Sequence, residues 1–293
     1  MAKIFRHPDV EDYFHFFDME QEALALATKA TELYESGQAF ILKDFLLDFD
    51  KNFLASLEFD DDATKKFKSI NFLKQFKQFT FPGASPNTYD DLLRNTFDGN
   101  KKRMNHFAEQ VRSINNQIDS IIARLFPRYQ IEKPSITWRL NETINENLHV
   151  DVYNEDLPNH HLRLFVNLDT VPRIWHTSHT LEHILKNSLH LLDEEFVRTS
   201  TPGRICHALN FAVFKGFEEA GREGLPKHIV FFDPGEVWIV DSRKVSHQIF
   251  YGRKALSVEH AIVNTSMKNP SLHYYEIVNR YRNKFLYNTP GAI

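Results

Sequence analysis

His149 and Asp151 stand two residues apart in Leu148-His-Val-Asp-Val-Tyr153, a run of strand-forming residues. On a strand, residues i and i+2 point to the same side, so an imidazole and a carboxylate converge there. A second imidazole from another strand gives two nitrogens and one oxygen on one face of a metal ion. That facial set leaves coordination positions open and is diagnostic of non-haem Fe(II) oxygenases. His247 is the natural third ligand. It follows Phe232-Asp-Pro-Gly-Glu-Val-Trp-Ile-Val240, where Pro-Gly makes a tight turn and an apolar strand resumes, and it closes Val245-Ser-His247. His-x-Asp alone occurs by chance in many proteins, so the weight lies in the strand, the turn and the late histidine together. The plain alternative is a surface pair, His149 and Asp151, with His247 a core histidine.

A rival set is His179-Thr-Leu-Glu-His183, which matches the inverted zinc-peptidase pattern His-x-x-Glu-His. On a helix its histidines share a face, with Glu182 as base and Glu259 as third ligand. The large two-layer domain of that class is not legible here, and a chain with 15 histidines makes chance matches easy. A helix start with solvent-facing His and Glu is the favoured reading of the motif. His160-His161 reads as a turn before a strand. A third class is a jelly roll that binds a sugar or lipid without chemistry. Glycine is scarce, at 10 residues, and no phosphate-binding loop is present. The serines lack a nucleophile elbow, and Cys206, the only cysteine, excludes an internal disulfide and has no evident activating partner.

The elements that must position these residues change character along the chain. The first 130 residues read mainly as helices: Asp18 to Tyr34 with an acidic first turn, a basic amphipathic helix over Lys65–Phe79 stopped by Pro82-Gly83, and Asn105 to Phe126 stopped by Pro127. From Ser135 short β-type runs follow one another: Ile136–Leu140, Leu148–Tyr153, His161–Leu168, Ile229–Phe232, Val237–Val240, Ser246–Tyr251 and Leu256–Val263. The fold class is therefore α+β, a double-stranded β-helix (jelly-roll, cupin-like) with N-terminal and inserted helices packed around it. The chain reads as a single domain over 1–293. Residues 1–130 form a helical support, 131–265 the jelly-roll core with a helical insertion at 181–219, and 266–293 a C-terminal extension. With 42% hydrophobic and 25% charged residues the composition is ordinary for a globular protein. A net charge of −4 argues against a general nucleic-acid binder. No apolar run marks a signal peptide or approaches a membrane span, so a cytoplasmic protein is expected.

The stretches Leu148-His-Val-Asp151, Leu162-Arg-Leu-Phe-Val-Asn167 and Pro172-Arg-Ile-Trp175, with Pro234-Gly-Glu-Val-Trp-Ile-Val240 and Val245-Ser-His247, resemble the Kdo hydroxylases. These enzymes hydroxylate 3-deoxy-D-manno-oct-2-ulosonic acid in the lipopolysaccharide inner core. The resemblance spans about residues 130–265 and implies an Fe(II)/2-oxoglutarate-dependent dioxygenase with His149, Asp151 and His247 as iron ligands. It further implies O2 as oxidant, stimulation by ascorbate, and attack on the deoxygenated C3 of Kdo-lipid A. The far carboxylate of 2-oxoglutarate needs a cation, ideally a bidentate arginine. Arg163, on the strand after His-x-Asp, is favoured, Arg253 is second, and Asn167 is grouped with them. Arg139 and Arg173, flanked by Trp138 and Trp175, suit an acidic sugar. Phe165, Trp238 and Phe250 are candidate walls. The basic Lys65–Phe79 helix suggests peripheral docking at the cytoplasmic face of the inner membrane, against the alternative that it packs on the barrel.

Overall fold

Every residue of His160–Asn167 is buried, which a strand achieves only when both faces of its sheet are covered. One face looks into a β-sandwich and the other onto helices. The structure, a computed structural model, describes residues 1–20, 22–58, 70–71, 94, 96–140, 142–152, 159–216 and 224–288.

In chain order the elements are β1 (Lys3–Phe5), β2 (Phe14–Asp18), α1 (Ala23–Glu35), β3 (Ala39–Leu46), α2 (Lys51–Ala55), β4 (Ile70–Asn71) and α3 (Lys101–Leu125). Then come β5 (Ile131–Lys133), β6 (Ile136–Arg139), β7 (Thr143–Ile144), β8 (His160–Asn167) and β9 (Arg173–Thr180). Three helices follow, α4 (Leu181–Ser188), α5 (Glu194–Thr199) and α6 (Pro202–Phe214). The chain returns through β10 (His228–Phe232), β11 (Glu236–Ile239), β12 (Val245–Gly252) and β13 (Ala255–Ile262) to α7 (Tyr274–Asn288).

One sheet runs β1-β10-β9-β12-β7 and the other β2-β3-β11-β8-β13-β6-β4, with β5 beside β13. Their centres, β10-β9-β12-β7 facing β11-β8-β13-β6, are the two interleaved four-strand sheets of a double-stranded β-helix. Between them lie Phe165, Trp175, Phe232, Trp238 and Ile249. A larger core forms where α1 and α3 cover the outer face of the β8-β13-β6 sheet, through Tyr34, Phe107, Ile114, Ile118, Trp138, Leu164 and Val258. A third core joins α4, α6 and α7 through Leu185, Leu209 and Ile277, and reaches Leu148 and Val150.

The N-terminal third is less helical than its sequence suggests. Phe14–Asp18 is a strand parallel to β3, and Phe14 and Phe17, three residues apart, enter different cores, Phe14 the sandwich and Phe17 the helical one. The acids Asp18, Glu20 and Glu22 precede α1, whose first turn holds none. Asp18 Oδ1 instead accepts the Glu20 N–H at 2.9 Å and closes a turn. Ala-Phe-Ile-Leu42 is a short apolar run that a buried strand and a buried helix share. In β3 all four are buried. The Lys65–Phe79 helix lies outside the described residues apart from Ile70 and Asn71. Those two pair antiparallel with Trp138 and Thr137. The third long helix is close to its reading, with Asn100 capping its start by accepting from Lys102 and Arg103 N–H. No helix among the described residues is long and apolar enough to cross a membrane.

Candidate metal centre

Of the Leu148–Tyr153 run, the described residues 148–152 do not form the strand its composition suggests. His149 makes a single bridge to β12, donating its N–H to His247 O at 3.0 Å and accepting from His247 N–H at 2.8 Å. On the other edge, Asn210 of α6 takes the place of a neighbouring strand. Its Oδ1 accepts from Val150 N–H at 3.0 Å and its Nδ2 donates to Val150 O at 2.9 Å. Asp151 N–H donates to Ser242 O at 2.9 Å. The segment is thus extended and held on both edges, with His149 and Asp151 on one side.

The two histidines are brought face to face by the bridge, ring centroids 4.7 Å apart. Each ring is fixed by its own backbone. Nδ1 of His149 lies 2.8 Å from Asn147 O, and Nδ1 of His247 lies 3.2 Å from Val245 O. A carbonyl can only accept, so each Nδ1 carries its proton and each Nε2 is the atom turned toward Asp151. Those Nε2 atoms point at Asp151 Oδ1, at 3.4 Å from His149 and 3.9 Å from His247. Trp175 stacks on the His247 ring at 5.2 Å and 24°, which fixes its plane. Burial pushes His247 down to about 4, so it stays neutral, the form a ligand needs. Burial opposes charge on Asp151, but Arg163 and the two histidines outweigh it and hold the carboxyl well below its usual range. Two imidazoles and an ionised carboxylate converging on one point fit a divalent first-row metal, with the remaining directions facing a pocket.

Arg163, Arg139, Arg173, Phe165, Trp175 and Ile249 line that pocket. Arg163 is committed to its neighbours: Nη2 donates to Asp151 Oδ2 at 3.1 Å, Nη1 to Glu259 Oε2 at 2.6 Å and Nε to Ser242 Oγ at 3.1 Å. Ser242 Oγ in turn donates to Asp151 Oδ2 at 2.5 Å. Arg173 is different. It is 3% exposed, and among the described residues no carboxylate pairs with its guanidinium. Burial and the nearby Arg139 lower its pKa to about 9. Its guanidinium lies against Gly252, where an added Cβ would come within 2.1 Å of Nη1.

Other sequence candidates sit elsewhere. Arg253 grips Asp169 with two bonds, Nε to Oδ2 at 2.7 Å and Nη2 to Oδ1 at 2.6 Å, and locks a turn. Asn167 also serves that turn, donating to Val171 O and Phe232 O and accepting from Asp169 N–H. Phe250 points outward against His176, because β12 alternates and Ile249 faces in. Trp238 lies behind the wall, stacked on Phe165 at 5.6 Å. Trp138 faces the helical core while Arg139, one residue on, faces the pocket. His160 and His161 are buried in β8 rather than in a turn. His179 ends β9 and His183 opens α4, so the two do not share a helix. Glu182 bonds Tyr281 and Arg280, and Glu259 bonds Arg163 and His161; neither faces His179. The peptidase arrangement is therefore not built. Ser242 and Asn210 were invisible in sequence, because only the fold brings them to this segment.

No family model matches the chain, and no curated protein matches it. Solved structures do. The Kdo hydroxylase KdoO, a non-heme Fe(II) α-ketoglutarate-dependent dioxygenase, in complex with α-ketoglutarate and Fe(III), superimposes with a TM-score of 0.63 at 17% identity, over 92% of this chain and 96% of that one. The same enzyme with cobalt(II) gives 0.63 at 16% identity over the same shares. Its complex with succinate and Fe(III) gives 0.61 at 16%. At such identities the likeness is one of fold.

Proposed function

We propose that this chain is an Fe(II)/2-oxoglutarate-dependent hydroxylase acting on the Kdo sugar of a Kdo-lipid A acceptor, at its deoxygenated C3. The observation that carries the reading is the orientation of His149 and His247. Each donates Nδ1–H to its own backbone and turns Nε2 toward Asp151, inside the fold that KdoO shares. His149, Asp151 and His247 would hold the iron. Iron and 2-oxoglutarate, when bound, supply O2-dependent C–H hydroxylation with conversion of the co-substrate to succinate; ascorbate would sustain the ferrous state.

The chain's own residues do the rest. Arg163 and Ser242 fix one oxygen of Asp151, leaving Oδ1 for the metal. Arg173 anchors the far carboxylate of 2-oxoglutarate: it is a buried cation in the ligand pocket, and an anion there restores the charge balance that burial removes. Gly252 leaves room for its guanidinium. Arg139, half-buried in the same pocket, meets the sugar carboxylate. Phe165, Trp175 and Ile249 keep water from the reacting carbon. A lipid acceptor places the enzyme at the cytoplasmic face of the inner membrane as a peripheral visitor.

Anaerobic Fe(II) followed by 2-oxoglutarate should give a weak visible charge-transfer band. Kdo-lipid A with both and air should then gain one oxygen in mass. Absence of the band in the iron-loaded protein would remove the oxygenase reading. A band with turnover of another substrate would keep the reaction and discard the sugar.

A further inference from the structure

Two histidines that the metal centre does not use lie side by side at the corner between β9 and α4. Thr180 caps the helix by accepting from His183 N–H at 3.3 Å. The turn stacks His179 on His183 with centroids 3.8 Å apart and planes within 8°. Both present Nδ1 to one carboxylate, Glu11, from the segment between β1 and β2. Oε2 is 3.1 Å from His179 Nδ1 and Oε1 is 2.9 Å from His183 Nδ1. The Glu11 backbone is itself fixed. Nδ1 of the buried His228 accepts His7 N–H at 2.9 Å, so its Nε2–H donates to Glu11 O at 3.0 Å. Two residues on, Tyr13 Oη donates to Ser178 O at 2.6 Å.

We propose that Glu11, His179 and His183 form a second metal site, for a divalent cation of the zinc class, completed by water. Their donor atoms all lie within 4.8 Å of one another. An ion with bonds of about 2.1 Å sets tetrahedral donors about 3.4 Å apart, so modest rotamer adjustment closes the set. Two imidazoles favour zinc, cobalt or nickel over magnesium or calcium. His183 and Glu11 have side chains 37% and 39% exposed against 13% for His179, which leaves one open side for entry and a water ligand. Without the ion, both imidazoles donate Nδ1–H to Glu11; with it, each ring binds through Nδ1 and carries its proton on Nε2 instead. Among the described residues no general base faces the site, since Glu182 is held by Tyr281 and Arg280, so the ion acts as a clasp. It ties the N-terminal segment to β9, and Ser246 Oγ, next to His247, donates to His179 O at 2.8 Å. The clasp therefore braces the strand pair that carries an iron ligand.

The test is zinc stoichiometry in chelator-treated full-length protein by calorimetry and elemental analysis. Wild type should bind two equivalents, Asp151→Ala one, and Asp151→Ala/His183→Ala none. Zinc should raise the unfolding midpoint of Asp151→Ala by several degrees and leave the double variant unmoved. His183 opens a helix and is half exposed, so alanine there preserves the fold. If Asp151→Ala folds poorly, two equivalents in wild type against one in His183→Ala gives the same answer. Two equivalents still bound after His183→Ala would put the second ion elsewhere, and a single equivalent in wild type with no change on His183→Ala would mean that no second site exists; either result overturns the proposal.

Discussion

Arg163 and Arg173 differ in what already occupies them, and the separate tasks proposed for them rest on that difference. Arg163 touches Asp151, Glu259 and Ser242, so removing it frees a metal ligand to rotate. Arg163→Ala should weaken iron binding by about 10- to 100-fold, as lost outer-sphere support does, with a smaller change in 2-oxoglutarate demand at saturating iron. Arg173→Ala should do the reverse, raising the 2-oxoglutarate KM roughly a hundredfold, since two charge-assisted bonds of about 1.5 kcal/mol each disappear. Lysine at 173 should recover only part, lacking the planar fork. Metal titration and co-substrate KM on both variants separate the roles; a large KM effect confined to Arg163→Ala would return the anchor to β8. The candidate metal donors stand out in the sequence because His-x-Asp spacing and a late strand histidine are local patterns. Arg163 and Arg173 cannot be told apart there, because both lie in apolar strand runs and only their burial and partners distinguish them.

At the scale of elements, the strands of the two sheets were legible wherever β-branched and aromatic residues ran between turn signals, as in β8, β11, β12 and β13. β9 was missed because Trp-His-Thr-Ser-His-Thr180 is polar at its end, although its first half alternates. The segment carrying His149 shows the opposite error. It has strand composition but only one backbone bridge, and Asn210 supplies the missing edge. That amide is 1% exposed, so Asn210→Leu would leave the Val150 N–H and C=O buried and unpaired. Each such group costs about 1–3 kcal/mol; urea unfolding should therefore show a loss of about 2–5 kcal/mol. Fe(II) affinity should fall in the same variant, because the histidine and aspartate flank Val150. Wild-type stability together with wild-type iron affinity in Asn210→Leu would show that the helical insertion does not hold the ligand segment.

Over the whole molecule, burial keeps several imidazoles neutral, which sets how the fold responds to acid. Burial lowers His260 and His273 to about 4 each, and holds His160 well below its ordinary value. His260 Nδ1 accepts Ser135 N–H at 3.0 Å, a bond that a protonated ring cannot make. His160 and His273 sit by Arg243 and Lys244, with Asp241 opposing them. For each, the folded value lies below the unfolded value near 6.5. Their contribution is therefore fully present above about pH 6.5 and is lost as pH falls toward 4, because the unfolded chain takes up protons first. The paired carboxylates Asp151 and Asp241 are held below their usual range, so their share is lost only at lower pH. Stability should fall across pH 6.5 to 4 by about 1.4 kcal/mol per pH unit for each such histidine. His260→Asn keeps an acceptor where Nδ1 stands but cannot titrate. Denaturation series at pH 7, 6, 5 and 4.5 should show the variant falling less steeply than wild type by about one histidine's slope. Superimposable pH profiles would mean that His260 takes up its proton alike in the folded and unfolded chain, and that its bond to Ser135 is not formed as the geometry requires.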